Sequence, residues 1–78
     1  MSKHEPSVDW NRIILDLSRR GYTLRLTAIE IGVHFSTIAE WKNSPKPRPK
    51  YDDAKRLISL WCDVMGLTEA DLPARLLA

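Results

Sequence analysis

The chain is 78 residues long, with 44% hydrophobic residues, 12 Lys and Arg and 10 Asp and Glu, for a formal net charge of +2. That length makes a single domain, and a core of this size supplies only about 3–5 kcal/mol, so well-formed helices, a metal, disulfides or a partner subunit must supplement it. One cysteine, Cys62, and two histidines, His4 and His34, leave no internal disulfide and no zinc-ligand spacing, so neither a metal nor another cofactor is expected.

Met1 to Val8 is polar, includes Pro6 and lacks the apolar run of about 7–15 residues that a signal peptide needs. Ile13-Ile14-Leu15 is far short of the roughly 20 apolar residues that cross a bilayer. The expectation is a cytoplasmic protein with a reduced thiol and no membrane partner.

Ser7 is placed to cap a first helix, Asp9 suits its positive end, and Trp10, Ile13, Ile14 and Leu17 recur at i, i+3, i+4 and i+7. The spacing predicts an amphipathic helix from about Val8 to Arg20, with Arg19 and Arg20 in its last turn and Gly21 as its stop. Thr23 then caps a short helix over Leu24 to Ile31, which Gly32 ends. Val33 and His34 connect it to a third helix from Phe35 to about Asn43, with Ile38 and Trp41 on one face and Pro45 forbidding continuation.

From Asn43 to Lys50, prolines alternate with basic or polar residues, which predicts a stiff, extended connector. Asp52 or Asp53 begins a long helix to Met65, whose Ala54, Leu57, Ile58, Trp61, Val64 and Met65 form a stripe at helical spacing, and Gly66 ends it. Thr68 and Asp71 read as a weak capping box in the tail, which Pro73 interrupts, and the role of Leu72, Leu76 and Leu77 is open. With no strand-like alternation and no internal repeat, the fold class is all-α, four helices and a tail.

Charge is unevenly distributed. Between Arg19 and Lys50 stand seven basic residues (Arg19, Arg20, Arg25, Lys42, Lys46, Arg48, Lys50) against Glu30 and Glu40, a local excess of +5, whereas the remainder carries −3. Such a middle directs one surface toward a polyanion, the plainer alternative being an ordinary solvated face.

Two short helices meeting across a tight turn need a small residue where they touch, a glycine in the turn and spaced apolar residues to hold the angle. Ala28, Gly32, Val33, Ile38 and Trp41 supply these. The Ala-x-x-x-Gly-Val spacing followed by Ile38 and Trp41, with Thr23 before the first motif helix, Ser36-Thr37-Ile38 in the second and Trp41-Lys42-Asn43 at its end, resembles the helix-turn-helix of phage Cro and lambda-type repressors. The resemblance spans about Gly21 to Asn43 and continues more weakly into the long helix. It departs from the family at Leu24, where a polar residue is usual, and at Thr27, where an apolar one is; Leu26 is the candidate to take over the packing.

The resemblance implies a compact four- to five-helix lambda repressor-like domain over residues 1–78, with its motif at about 23–43, connector at 44–50, long helix at about 52–65 and tail at 66–78. It implies binding of double-stranded DNA, with the helix from Phe35 in the major groove. His34, Phe35, Ser36, Ala39, Glu40 and Asn43 match positions that face DNA in the family, and Thr37 lies among them. Glu40 is suited to accept from a cytosine amino group, Ser36 to bond several bases, Asn43 to reach a base or phosphate, and Phe35 or Ala39 to touch a thymine methyl. Arg25 is expected on a phosphate, as are Lys42, Lys46, Arg48 and Lys50 along the stiff connector.

Simpler roles compete. Trp10, Trp41 and Trp61 sit on apolar stripes and read as core rather than base-stacking residues. Phe35 divides between DNA and packing, and His34 between helix capping or phosphate and base readout. Cys62 reads as an inert packed thiol, and Asp52 and Asp53 as helix-start residues. With no P-loop, Gly-x-Ser-x-Gly or His-Glu-x-x-His motif, neither enzymatic activity nor a small-molecule substrate is expected.

The expected function is therefore a Cro-like regulator of phage or prophage, acting in a bacterial cytoplasm as a homodimeric repressor, with Leu60, Leu72, Leu76 and Leu77 as candidate dimer residues. The alternatives are a protein-interaction module gripping its partner through Phe35, Leu24 and the leucine-rich tail, or a phage DNA-packaging or recombination accessory protein.

Overall fold

Four helices carry the fold: α1 (Trp10–Arg19), α2 (Leu24–Ile31), α3 (Phe35–Asn43) and α4 (Tyr51–Met65). A single helical turn at Glu69–Asp71 follows, and two short strands, β1 (Pro6–Val8) and β2 (Ala74–Leu76), flank the helices. The computed structural model describes residues 6–45 and 47–76. The domain is all-α in its core.

Three of the helix boundaries follow directly from local chemistry. Asp9 caps α1 by accepting from the Arg12 N–H at 3.2 Å, and Thr23 caps α2 by accepting from the Leu26 N–H at 3.1 Å. Proline at 45 lies just beyond the end of α3, where Ser44 still donates to the Glu40 carbonyl at 2.8 Å.

Two expectations at the ends are corrected. Ser7 does not cap α1, because it lies in β1, opposite Arg75 of the antiparallel β2, with Pro6 opposite Leu76 and Val8 opposite Ala74. The Asp9 N–H extends this pairing by donating to the Pro73 carbonyl at 2.9 Å. Strands of three residues are too short to show alternation in the sequence, so the ribbon replaces the loose tail expected there. Leu77 lies outside the described residues.

The long helix begins at Tyr51, with Lys50 at the cap position, so neither Asp52 nor Asp53 is the capping residue. Both stand in the first turn, where a carboxylate meets the positive end of the helix dipole, and Asp53 accepts from Arg56 Nη2 at 2.7 Å.

Every helix contributes to one core: Ile13, Ile14 and Leu17 of α1, Ala28 and Ile31 of α2, Ile38 and Trp41 of α3, and Leu57 and Trp61 of α4. Each fully buried Ile or Leu side chain favours the folded state by about 1.5–3 kcal/mol. Trp10, Leu60, Val64, Met65 and Leu72 pack partly buried around this centre. Trp61 also donates its indole N–H to Asp16 Oδ2 at 3.1 Å, and Asp16 pairs with Arg12 at 3.0 Å, which joins α4 to α1 through a polar link at the core edge.

The register of α2 differs from the expectation that Leu26 packs inward. Leu24 is partly buried and Thr27, Ala28 and Ile31 are buried, so the inner face runs i, i+3, i+4, i+7 from Leu24. Leu26 lies on the other side and is 46% exposed, with Ile29 at 68% beside it. Thr27 therefore occupies an apolar site with a hydroxyl that has no hydrogen-bond partner.

Candidate nucleic-acid interface

The α2–α3 pair depends on Gly32, which adopts φ +74° and lets the N–H groups of Gly32 and Val33 both return to the Ala28 carbonyl, at 2.9 and 3.0 Å. A β-carbon there would meet no atom within 4 Å, so the demand for glycine comes from the backbone rather than from crowding. The chain then needs only Val33 and His34 before α3 starts.

The far ends of the two motif helices are held from outside the motif. Asn11 of α1 donates its side-chain amide to the carbonyls of Trp41, Lys42 and Ser44 at 2.7, 2.9 and 3.2 Å, at the end of α3 where backbone carbonyls have no partner within the helix. Arg56 of α4 donates Nε to the Ile31 carbonyl at 2.9 Å and does the same for the end of α2. Sequence reasoning identified neither residue. A polar Asn just beside the apolar stripe of α1 is a weak signal, and nothing in the sequence distinguishes Arg56 from other solvated arginines.

With Ile38 and Trp41 committed to the core, the other side of α3 faces outward. His34, Phe35, Ser36, Glu40, Lys42 and Asn43 are exposed, while Thr37 and Ala39 are half-buried. His34 occupies the cap position of α3 but its side chain makes no capping bond, which removes the capping role weighed for it. The start of α3 thus lacks the side-chain cap that α1 and α2 have, and its positive end is open.

Arg25, the second residue of α2, places its guanidinium 5.3 Å from the centre of the Phe35 ring. At an exposed site such a contact contributes about 0.5–1 kcal/mol. Phe35 remains 45% exposed with this contact in place, so the ring is partly packed and partly open to solvent.

Of the connector cations, Arg48 and Lys50 are exposed and Lys46 lies outside the described residues. A cleft of about 410 Å³ separates α3 from the connector, with Thr37 and Glu40 on one wall, Pro47, Arg48 and Lys50 on the other and Asp53 at its end. Glu40 and Asp53 line it together with Arg48 and Lys50, and Asp53 is already paired with Arg56, so the cleft carries charges of both signs.

The structure thus brings Arg25, Phe35 and the outward residues of α3 onto adjoining surfaces, with Arg48 and Lys50 across the cleft. Compared with known proteins, the chain matches no protein-family model, no curated protein and no solved structure. No helix among the described residues is long and apolar enough to cross a membrane.

Proposed function

We propose that this protein binds double-stranded DNA sequence-specifically by laying α3 in the major groove, as a transcriptional regulator of the Cro and lambda-repressor kind. The observation that carries the reading is the outward face of α3. Its exposed polar groups, Ser36, Glu40 and Asn43, are of the types that read base edges. Its uncapped N-terminus suits a phosphate, and exposed Arg25, Lys42, Arg48 and Lys50 flank it.

A nine-residue helix reaches few base pairs, and a homodimer on an inverted repeat doubles them. Repression by occupying a promoter, in a bacterial cytoplasm during phage or prophage growth, is the corresponding role. Leu60 and Leu72, two of the candidate dimer residues, are already partly engaged with the core, whereas Leu67 is exposed.

A second reading has its own support. Leu26 and Ile29 form an exposed apolar pair on α2, next to no core function, and fit a protein-interaction module on the same scaffold. Leu24 does not belong to that surface, since it packs against the core.

Selection from a random duplex library at physiological salt tests both. Enrichment of an inverted repeat with half-sites about 34–36 Å apart supports the dimeric operator binder. Retention without sequence preference supports an accessory DNA-binding role, and no retention at low salt sinks the DNA reading in favour of the protein-interaction module.

A further inference from the structure

We infer that Arg25 and Phe35 act as one unit that reads the C5-methyl group of a single thymine in each half-site, an inference that rests on α3 being the groove-bound helix. Phe35 is the first residue of α3, and its ring stays 45% exposed although the core positions of that helix are filled by Ile38 and Trp41. The ring has a cationic neighbour. The Arg25 guanidinium, near the start of the other motif helix, lies over it at 5.3 Å and biases its orientation.

A phenyl ring has no hydrogen-bonding group, so among the features of the major groove it discriminates only the apolar one, the methyl on C5 of thymine. Half-buried Ala39, one turn along α3, adds a second small apolar surface on that side. A guanidinium stacked over a ring keeps its in-plane N–H donors free, so Arg25 remains able to hold a neighbouring phosphate while it orients the ring. Reading and anchoring are then coupled: the cation that locates the backbone also sets the position of the apolar reader.

The test uses the duplex recovered by selection. Each thymine is replaced in turn by deoxyuridine, which removes the methyl and keeps every hydrogen-bonding group, and affinities are measured for the wild type, Phe35→Ala and Arg25→Lys. One thymine per half-site is expected whose replacement weakens wild-type binding about fourfold, the worth of one buried methyl-sized group. The same replacement is expected to leave Phe35→Ala binding unchanged and to have a reduced effect in Arg25→Lys, which keeps the charge and loses the flat stacking group.

Specific binding with no thymine sensitive to the replacement, a selected site without thymine, or a penalty that persists undiminished in either variant overturns the inference while leaving DNA binding intact. Failure to retain any duplex overturns both. Arg25 is exposed, so its variant keeps the comparison decisive even where Phe35→Ala lowers stability.

Discussion

Asn11 and Trp41 are joined across α1 and α3 by a 2.7 Å hydrogen bond from the side-chain amide of one to the backbone carbonyl of the other. The same amide group lies within hydrogen-bonding distance of the Lys42 and Ser44 carbonyls, so its two N–H groups are shared among three acceptors at the end of the helix proposed to enter the groove. Asn11→Ala leaves these carbonyls without that donor and is expected to cost about 1–2 kcal/mol in urea denaturation. Asn11→Asp is expected to be worse, because a carboxylate cannot donate and faces the negative end of the helix dipole. Affinity for a selected duplex should fall with both variants, since α3 is then less firmly placed. An alanine variant as stable as the wild type, or an aspartate variant more stable than the alanine one, contradicts this role.

Thr27 is 1% exposed and its hydroxyl has no hydrogen-bond partner. Burying such a group uncompensated costs about 1–3 kcal/mol by mutational measures. Thr27→Val keeps the branched shape, replaces the hydroxyl with a methyl and is expected to raise stability by roughly 1 kcal/mol, read as a higher urea midpoint with an unchanged slope. The gain should appear without loss of DNA affinity, because the residue faces the core. A lower midpoint would mean that the hydroxyl is satisfied in solution.

The helix pattern was legible where a boundary has its own local chemistry: Thr23 before α2, Gly32 after it, Pro45 beyond α3 and Gly66 after α4. The orientation of α2 was less legible. Leu24 and Leu26 stand two residues apart and point to opposite sides, and only the packing of Ala28 and Ile31 decides which one turns inward. The end ribbon left no trace in three-residue strands, and the braces from Asn11 and Arg56 join residues 25 or more positions apart, which local spacing does not encode. For the candidate interface, residue types on α3 were readable from spacing, whereas the stacking of Arg25 on Phe35 depends on how closely the two helix starts approach.

Cys62 is half-buried on α4, and burial pushes its thiol above the ordinary range, with the carboxylates of Glu69, Asp63 and Asp71 adding to the shift. Both causes disfavour the thiolate. Alkylation by iodoacetamide is therefore expected to reach half its limiting rate at higher pH in the folded protein than in the urea-unfolded chain. Since folding favours the neutral thiol, this group lowers stability only as the pH rises through the thiol range of the unfolded chain, and has no effect below it. Glu69→Gln removes one of the carboxylates and should move the folded midpoint part of the way back. A folded midpoint at or below the unfolded one rules this account out.

Arg48 and Lys50 are exposed on the connector rim, separated from α3 by the cleft. On the proposed reading they meet the phosphate backbone, where each neutralised phosphate releases counterions and contributes about 0.9 to the slope of log affinity against log salt. Arg48→Ala and Lys50→Ala are each expected to lower that slope by about one unit and to weaken binding to all duplexes alike, leaving the selected sequence unchanged. Lys46→Ala should behave in the same way. Titrations of a selected and an unrelated duplex at several salt concentrations separate this from base reading. An affinity loss confined to the selected sequence would place Arg48 or Lys50 on a base edge, and a slope unchanged in both variants would remove the connector from the interface.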